Sequence, residues 1–163
     1  MDFRDFPAFK ELSVEQFRHF ATACQYGTLP PGKCLIRQGE VGSRIMFILK
    51  GQVRVHLQTD MGDRDLNQLS GPTVLGEISF FSGDVSSASV TTSTEVEIMI
   101  VPFNKLRARL YAGDASAAIV VLHLASAIAQ RANAMTATLS QFYTRQAELE
   151  TSTRDLFGEW SFL

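Results

Sequence analysis

Between residues 33 and 101 the chain is cut into short stretches whose apolar residues fall on every second position, and each stretch ends at a glycine-bearing corner. That period sends alternate side chains to opposite faces, so the stretches read as strands. In Val53-Arg54-Val55-His56-Leu57 apolar and polar residues alternate, and Val96, Ile98 and Ile100 mark one face of the stretch from Thr91 to Val101. The corners are Arg37-Gln38-Gly39-Glu40, Lys50-Gly51, Met61-Gly62-Asp63 and Ser70-Gly71-Pro72. Short strands with corners at such spacing close into a sandwich or jelly roll. Outside this span the period changes. Residues 3–25 read as helix, with Ser13 and Gln16 in capping-box spacing and Leu12, Phe17, Phe20 and Ala21 on an apolar face. Leu29-Pro30-Pro31-Gly32 ends that helix. The predicted fold class is therefore α+β: an antiparallel β-roll or jelly roll over residues 30–101, flanked by N-terminal helices and a long C-terminal helix.

Past Pro102 the pattern turns helical, with a break at Gly113-Asp114 where Asp114 can cap a second helix. Residues 115–149 contain neither Gly nor Pro. Within them Val121, Ala125, Ile128, Ala132, Met135, Leu139 and Phe142 recur in alternating steps of four and three, continuing through Gln146 to Leu149. This is a heptad seam, and its small alanines permit close approach of a second helix, so a parallel homodimer is expected. A second apolar set, Ile119, Val120, Leu122 and Leu124, can pack back on the barrel. The expected organisation is a β-roll with flanking helices at 1–112, a dimerisation helix at 113–150 and an aromatic tail at 151–163. That tail holds Leu156, Phe157, Trp160, Phe162 and Leu163 and is a candidate contact for a protein partner.

Composition narrows the function classes. A chain of 163 residues with 45% hydrophobic residues can bury a core of its own. Fifteen basic and seventeen acidic residues give a net charge of −2, which supplies no overall basic footprint for nucleic acid. Cys24 and Cys34 belong to no C-x-x-C or ligand-spaced cluster, so two free, buried thiols in a reducing cytoplasm are expected. Met1-Asp2-Phe3-Arg4-Asp5 does not read as a signal peptide, and no uninterrupted apolar run approaches the roughly 18 residues of a membrane span. The reading is a soluble cytoplasmic protein with no membrane partner. His19, His56 and His123 share no metal spacing, no G-x-S-x-G elbow is present, and Gly76 and Gly83 make neither a Walker nor a Rossmann loop. No catalytic or metal site is expected, and the chain does not read as an enzyme.

One stretch carries more specific chemistry. Residues 75–90 read Gly76-Glu77, the apolar turn Ile78-Ser79-Phe80-Phe81, the corner Ser82-Gly83-Asp84, and Ser86-Ser87-Ala88 leading into Ser89-Val90-Thr91. This resembles the phosphate-binding cassette of cyclic-nucleotide-binding domains, the family of catabolite-activator-type regulators, cyclic-nucleotide-dependent kinases and gated channels. The order of the Pro-Gly turn, the Ile36 to Glu40 corner, the Ile45 to Val55 hairpin, the cassette and Val101-Pro102-Phe103 extends the likeness over roughly residues 9–140. The resemblance implies that Glu77 takes a ribose hydroxyl and that the cyclic phosphate of cAMP or cGMP meets the cassette at Gly76, Ile78, Ser86, Ser87 and Ala88. Thr136 stands on the long helix where the family's base contacts arise.

The family's phosphate-pairing Arg falls at position 86, which here is Ser, and no Lys or Arg occurs between Arg64 and Lys105. A hydrogen bond to a charged group contributes roughly 1.5–3 kcal/mol, so its loss weakens phosphate binding by about 10- to 150-fold. Backbone N–H groups at the helix start and the hydroxyls of Ser86 and Ser87 are weaker substitutes. Arg64 or Arg131 could supply the cation from elsewhere. The residues fit three functions: a dimeric interaction module that binds ordinary cyclic nucleotides weakly or not at all, a sensor of a cyclic nucleotide or related ligand, and a fragment of a transcription regulator. A winged helix-turn-helix does not fit in the fourteen or so residues after the long helix.

Overall fold

Strand β3 (Arg44–Lys50) is buried on both faces, and the fold is layered around it. Its even positions, Met46 and Ile48, face a second sheet, while Ile45 and Phe47 face the helices. The computed structural model describes residues 3–158. Eight strands form two antiparallel four-stranded sheets. One has the order β1 (Gln25–Leu29), β8 (Val96–Pro102), β3, β6 (Thr73–Leu75). The other has the order β2 (Cys34–Ile36), β7 (Ser89–Thr92), β4 (Gln52–Thr59), β5 (Gly62–Ser70). The expected antiparallel roll flanked by helices is thus present.

The inter-sheet core holds Leu35, Met46, Ile48, Val53, Leu75, Val90, Val96 and Ile98, with Val55 and Ile100 packed against it. Both alternating faces read in the sequence, Val53 with Val55 and Val96 with Ile98 and Ile100, point into this layer. The second core lies on the other side of β3 and β8. There Phe47 meets Phe6, Phe9 and Phe20 at ring-centroid distances of 5.4, 4.8 and 6.4 Å. Aromatic pairs of this kind contribute about 0.5–1.5 kcal/mol each beyond the area they bury.

The N-terminal region departs from the single helix expected over 3–25. It forms two 3-10 turns, Phe3–Asp5 and Pro7–Phe9, and then α1 (Val14–Ala21). Pro7 opens the second turn, which ends at Phe9, and Ser13 caps the separate helix α1. The capping box is present: Gln16 N–H donates to Ser13 Oγ at 3.1 Å, and Ser13 N–H to Gln16 Oε1 at 2.8 Å. The strands also begin earlier than Pro30, because Gln25–Leu29 pairs with β8 in full register.

Helix α3 (Phe103–Tyr111) is followed by α4 (Ala115–Gly158). Asp114 caps α4 as anticipated, its Oδ1 accepting from Ser116 N–H at 2.9 Å and from the Ser116 hydroxyl at 2.6 Å. The opposite carboxylate oxygen lies 3.0 Å from Arg109 Nη1 and 3.1 Å from His19 Nε2, which joins α1, α3 and α4. The chain divides into two units, Met1–Leu124 and Ala125–Leu163. In the first, Ala117, Val120 and Leu124 of α4 are buried in the helical core and Ile119 packs against it, whereas Leu122 is 67% exposed, contrary to its expected packing role. In the second, the helix continues past residue 150 to Gly158. The side chains of the tail expected at 151–163 lie outside the described residues.

Two further expectations are revised. Both cysteines are free, but only Cys24 is partly covered, and burial pushes its thiol up to about 12; Cys34 is exposed. The stretch Ala115–Arg145 is long and apolar enough, with a mean hydropathy of 1.4 over its best window, to cross a membrane by length and composition. Polar residues such as Ser126 and Gln130 interrupt the stretch, so its apolar character lies in its average rather than in a continuous run.

The Asp114 carboxyl is held below its ordinary range. Burial opposes this, but the hydrogen bonds from Ser116 and Ala117 and the charge of His19 outweigh it. A depressed carboxyl contributes stability that is complete above the unfolded-state value near 4 and is lost as pH falls through the lower folded value. Asp114→Asn keeps capping ability and removes the charge. Urea midpoints measured from pH 5 down to 2 should fall less steeply in this variant than in the parent.

Candidate functional site

The cassette begins where β6 runs into Gly76. This residue has φ of 85°, and a Cβ there would stand 2.4 Å from the Arg44 carbonyl oxygen. Only glycine reconciles the left-handed backbone with that close approach. It starts α2 (Glu77–Ser82), which ends at a second left-handed glycine, Gly83, whose N–H donates to Ser79 O at 3.1 Å. Glu77 is 3% exposed, whereas its neighbour Ile78 is 61% exposed. These two adjacent cassette side chains therefore belong to different environments: Glu77 points inward and Ile78 outward.

After α2 the chain returns along the Arg37 to Glu40 corner. Ser86 N–H donates to Glu40 O at 2.9 Å, Gly39 N–H donates to Ser86 O at 2.7 Å, and Val85 bridges to Val41. Both backbone groups of Ser86 are thereby committed to the corner, which leaves its half-buried hydroxyl. Ser87 is exposed and Ala88 half-buried, and Ser89 closes the segment by accepting from Gln38 N–H at 3.0 Å. Gly76, Glu77 and Ile78 thus stand at the start of α2, while Ser86, Ser87 and Ala88 lie in the following segment, tied at Ser86 to the Arg37 to Glu40 corner. Thr136 belongs to the second unit, exposed on α4, where its hydroxyl donates to Ala132 O at 3.1 Å. Arg64 is exposed on β5, the edge strand of its sheet.

Arg107 makes a contact that the sequence did not announce. Its Nη2 donates to Phe80 O at 3.2 Å, and its guanidinium lies 5.3 Å from the Phe80 ring centroid and 6.0 Å from that of Phe103. It therefore sets a positive charge against a carbonyl in the last turn of α2, where the helix dipole favours it. Residues 27 apart with no local motif give no sequence signal for such a pairing. Among the described residues no group of three His, Cys, Asp or Glu side chains could hold a metal ion.

A β-roll with a short glycine-started helix between β6 and β7, ahead of a long C-terminal helix, defines a class of regulatory ligand-binding domain. The family model for the cyclic nucleotide-binding domain matches residues 27–111, and the chain belongs to that family. It is 31% identical over 93 residues to a cyclic nucleotide-gated potassium channel from Rhizobium etli, covering 57% of this chain and 25% of the channel. It is 32% identical over 79 residues to a CRP-like cAMP-activated global transcriptional regulator from Mycobacterium tuberculosis, covering 48% of this chain and 35% of the regulator. The chain thus spans about a quarter to a third of these relatives. Among solved structures it is similar to the Thermus thermophilus catabolite activator protein, with a TM-score of 0.70, 23% identity and coverage of 83% of this chain and 62% of that one. It is similar in fold also to the regulatory subunit of a cAMP-independent protein kinase A from Trypanosoma brucei, with a TM-score of 0.63, 22% identity and coverage of 78% of this chain and 44% of that one.

Gly76→Ala should strike the cassette first. Left-handed backbone costs about 1–2 kcal/mol for a residue with a Cβ, and the contact with the Arg44 carbonyl adds to that. Chemical denaturation should show a loss of at least about 1 kcal/mol. Amide exchange over residues 76–83 should quicken more than in β3.

Proposed function

We propose that the chain is a cytoplasmic, non-enzymatic regulatory module in which ordinary cyclic nucleotides bind weakly or not at all, and which acts as a homodimeric interaction module. The observation that carries this reading is position 86. A serine stands there with its amide committed to Glu40 O, and no Lys or Arg lies between Arg64 and Lys105. An anionic phosphate at the cassette would meet dipoles and hydroxyls next to the buried Glu77, without a cation from the segment itself. Proteins of this fold include one solved with cAMP, the regulatory domain of Toxoplasma gondii protein kinase A, and the cAMP-independent kinase subunit from Trypanosoma brucei. Fold alone is compatible with either outcome, and the charge at the cassette favours weak or absent binding.

Two apolar surfaces support the interaction role. On the seam of α4, Met135, Leu139 and Phe142 are 68%, 55% and 66% exposed, Ala125 and Ala132 are exposed and Ile128 is half-buried, whereas Val121 packs against the helical core of its own chain. A stripe of this spacing is what a twin helix buries. Beside the cassette, Val41, Ile78, Phe81 and Val85 are all exposed. The second reading, a cyclic-nucleotide sensor using Gly76, Glu77, Ser86, Ser87 and Ala88 with Thr136 from the long helix, is favoured by one observation. Gly76 and the buried Glu77 keep the form of a cassette with an inward carboxylate.

Two measurements test these readings. Ser86→Arg restores a charge-assisted phosphate contact, and calorimetric affinity for cAMP or cGMP should rise by about 10-fold or more. Micromolar cAMP binding by the parent would overturn the first reading in favour of the sensor. Ala132→Glu places like charges in the seam, and light scattering should then show a monomer where the parent is a dimer. A parent already monomeric at tens of micromolar would rule out the seam as a homodimer interface.

A further inference from the structure

Two arginines from other elements stand near the cassette helix, Arg44 through its carbonyl at Gly76 and Arg107 through its contact with Phe80. A cavity of about 610 Å³ opens between the ends of β1, β3 and β8 and the start of α3, lined by Arg44 and Arg107 with Gln25, Ser43, Phe103 and Asn104. Its volume is within the range of small-molecule pockets, roughly 300–1,000 Å³. The lining residues include two arginines and no Asp or Glu. Four other cations are already neutralised: Arg54 pairs with Asp63 and Asp65, Arg109 with Asp114, Arg37 with Glu40 and Lys50 with Glu97. Among the described residues Arg44 makes no ion pair, and Arg107 meets a carbonyl and two aromatic rings rather than an acid. In a chain of net charge −2, two uncompensated arginines converge on one concavity.

The geometry points to a second ligand site, outside the cassette, in which Arg44 and Arg107 bind the oxyanion of a small organic phosphate or carboxylate. Guanidinium forks match both anions in bidentate geometry. Phe103 and the neighbouring Ile100 and Pro102 offer an apolar wall for the body that carries the anion, and Ser43 and Asn104 offer polar contacts. The site touches both ends of α2. The Arg44 carbonyl is the atom that excludes any side chain at Gly76, and the Arg107 guanidinium holds Phe80 O near the other end. An anion in the cavity competes with that carbonyl for Arg107, so occupancy alters the restraint on the cassette helix.

Phenyl phosphate and benzoate serve as probes, followed by phosphorus and proton NMR line broadening on the full chain. Broadening of either probe that saturates, and that weakens by about 10-fold or more in Arg44→Gln, is the expected result. Broadening of phenyl phosphate alone assigns a phosphate, and of benzoate alone a carboxylate. Because Arg107→Gln can loosen α2, Arg44→Gln is the primary variant, and Arg107→Lys should retain part of the affinity. Absence of saturable binding for both probes overturns the site. So does binding that survives Arg44→Gln unchanged but is lost in Ser86→Ala, since the anion then sits in the cassette.

Discussion

The two-sided burial of β3 is the constraint on which the rest of this domain depends. Ile45 and Phe47 on one face and Met46 and Ile48 on the other are at most 2% exposed. One strand thereby joins a sheet-to-sheet core with a sheet-to-helix core. Truncating a buried Phe typically costs about 3–5 kcal/mol, a large part of a small domain's net stability of roughly 5–15 kcal/mol. The cassette inherits this rigidity, because the close packing of Gly76 is against the carbonyl of Arg44, the first residue of β3.

Charge is distributed around α2 in a way that bears on function. The inward side offers the carboxylate of Glu77, and the segment after it offers serines in place of a cation. Near the end of the helix Arg107 donates to Phe80 O beside the rings of Phe80 and Phe103. A bound cyclic phosphate is attracted through space by any nearby guanidinium, yet a hydrogen-bonded partner contributes far more than a screened one. Two relatives matched in sequence carry the names of a gated channel and a transcription regulator, so this domain type serves different output elements. In both cases the domain is a minor share of the whole protein.

The second unit poses a different energetic problem. Helix α4 is 44 residues long, and its seam exposes Met135, Leu139 and Phe142 within the single chain. Helices in proteins draw most of their stability from packing an apolar face against a neighbour. The unit therefore has a physical reason to acquire a partner, and the four-three spacing of its apolar residues makes a second helix the geometrically apt one.

What the sequence determined by itself was whatever depends on neighbours in the chain. Period-two alternation assigned Val53 and Val55 to one face of their strand, and Val96, Ile98 and Ile100 to one face of theirs. Ser13 with Gln16, and Asp114 after Gly113, announced two helix starts, because a cap is a contact over two or three residues. Gly76-Glu77 and the corners around it specified the family, since left-handed turns leave a glycine signature. Tertiary structure decided the rest. It broke residues 3–25 into two 3-10 turns and a short helix, because Phe6, Phe9 and Phe20 each had to reach Phe47. It turned Gln25–Leu29 into a strand through pairing with β8, sent Leu122 outward while Val120 and Leu124 went in, and exposed Cys34. It also brought Arg44 and Arg107, 63 positions apart in the sequence, to the lining of one cavity. Contacts of that separation are fixed by how layers stack, and no local pattern encodes them.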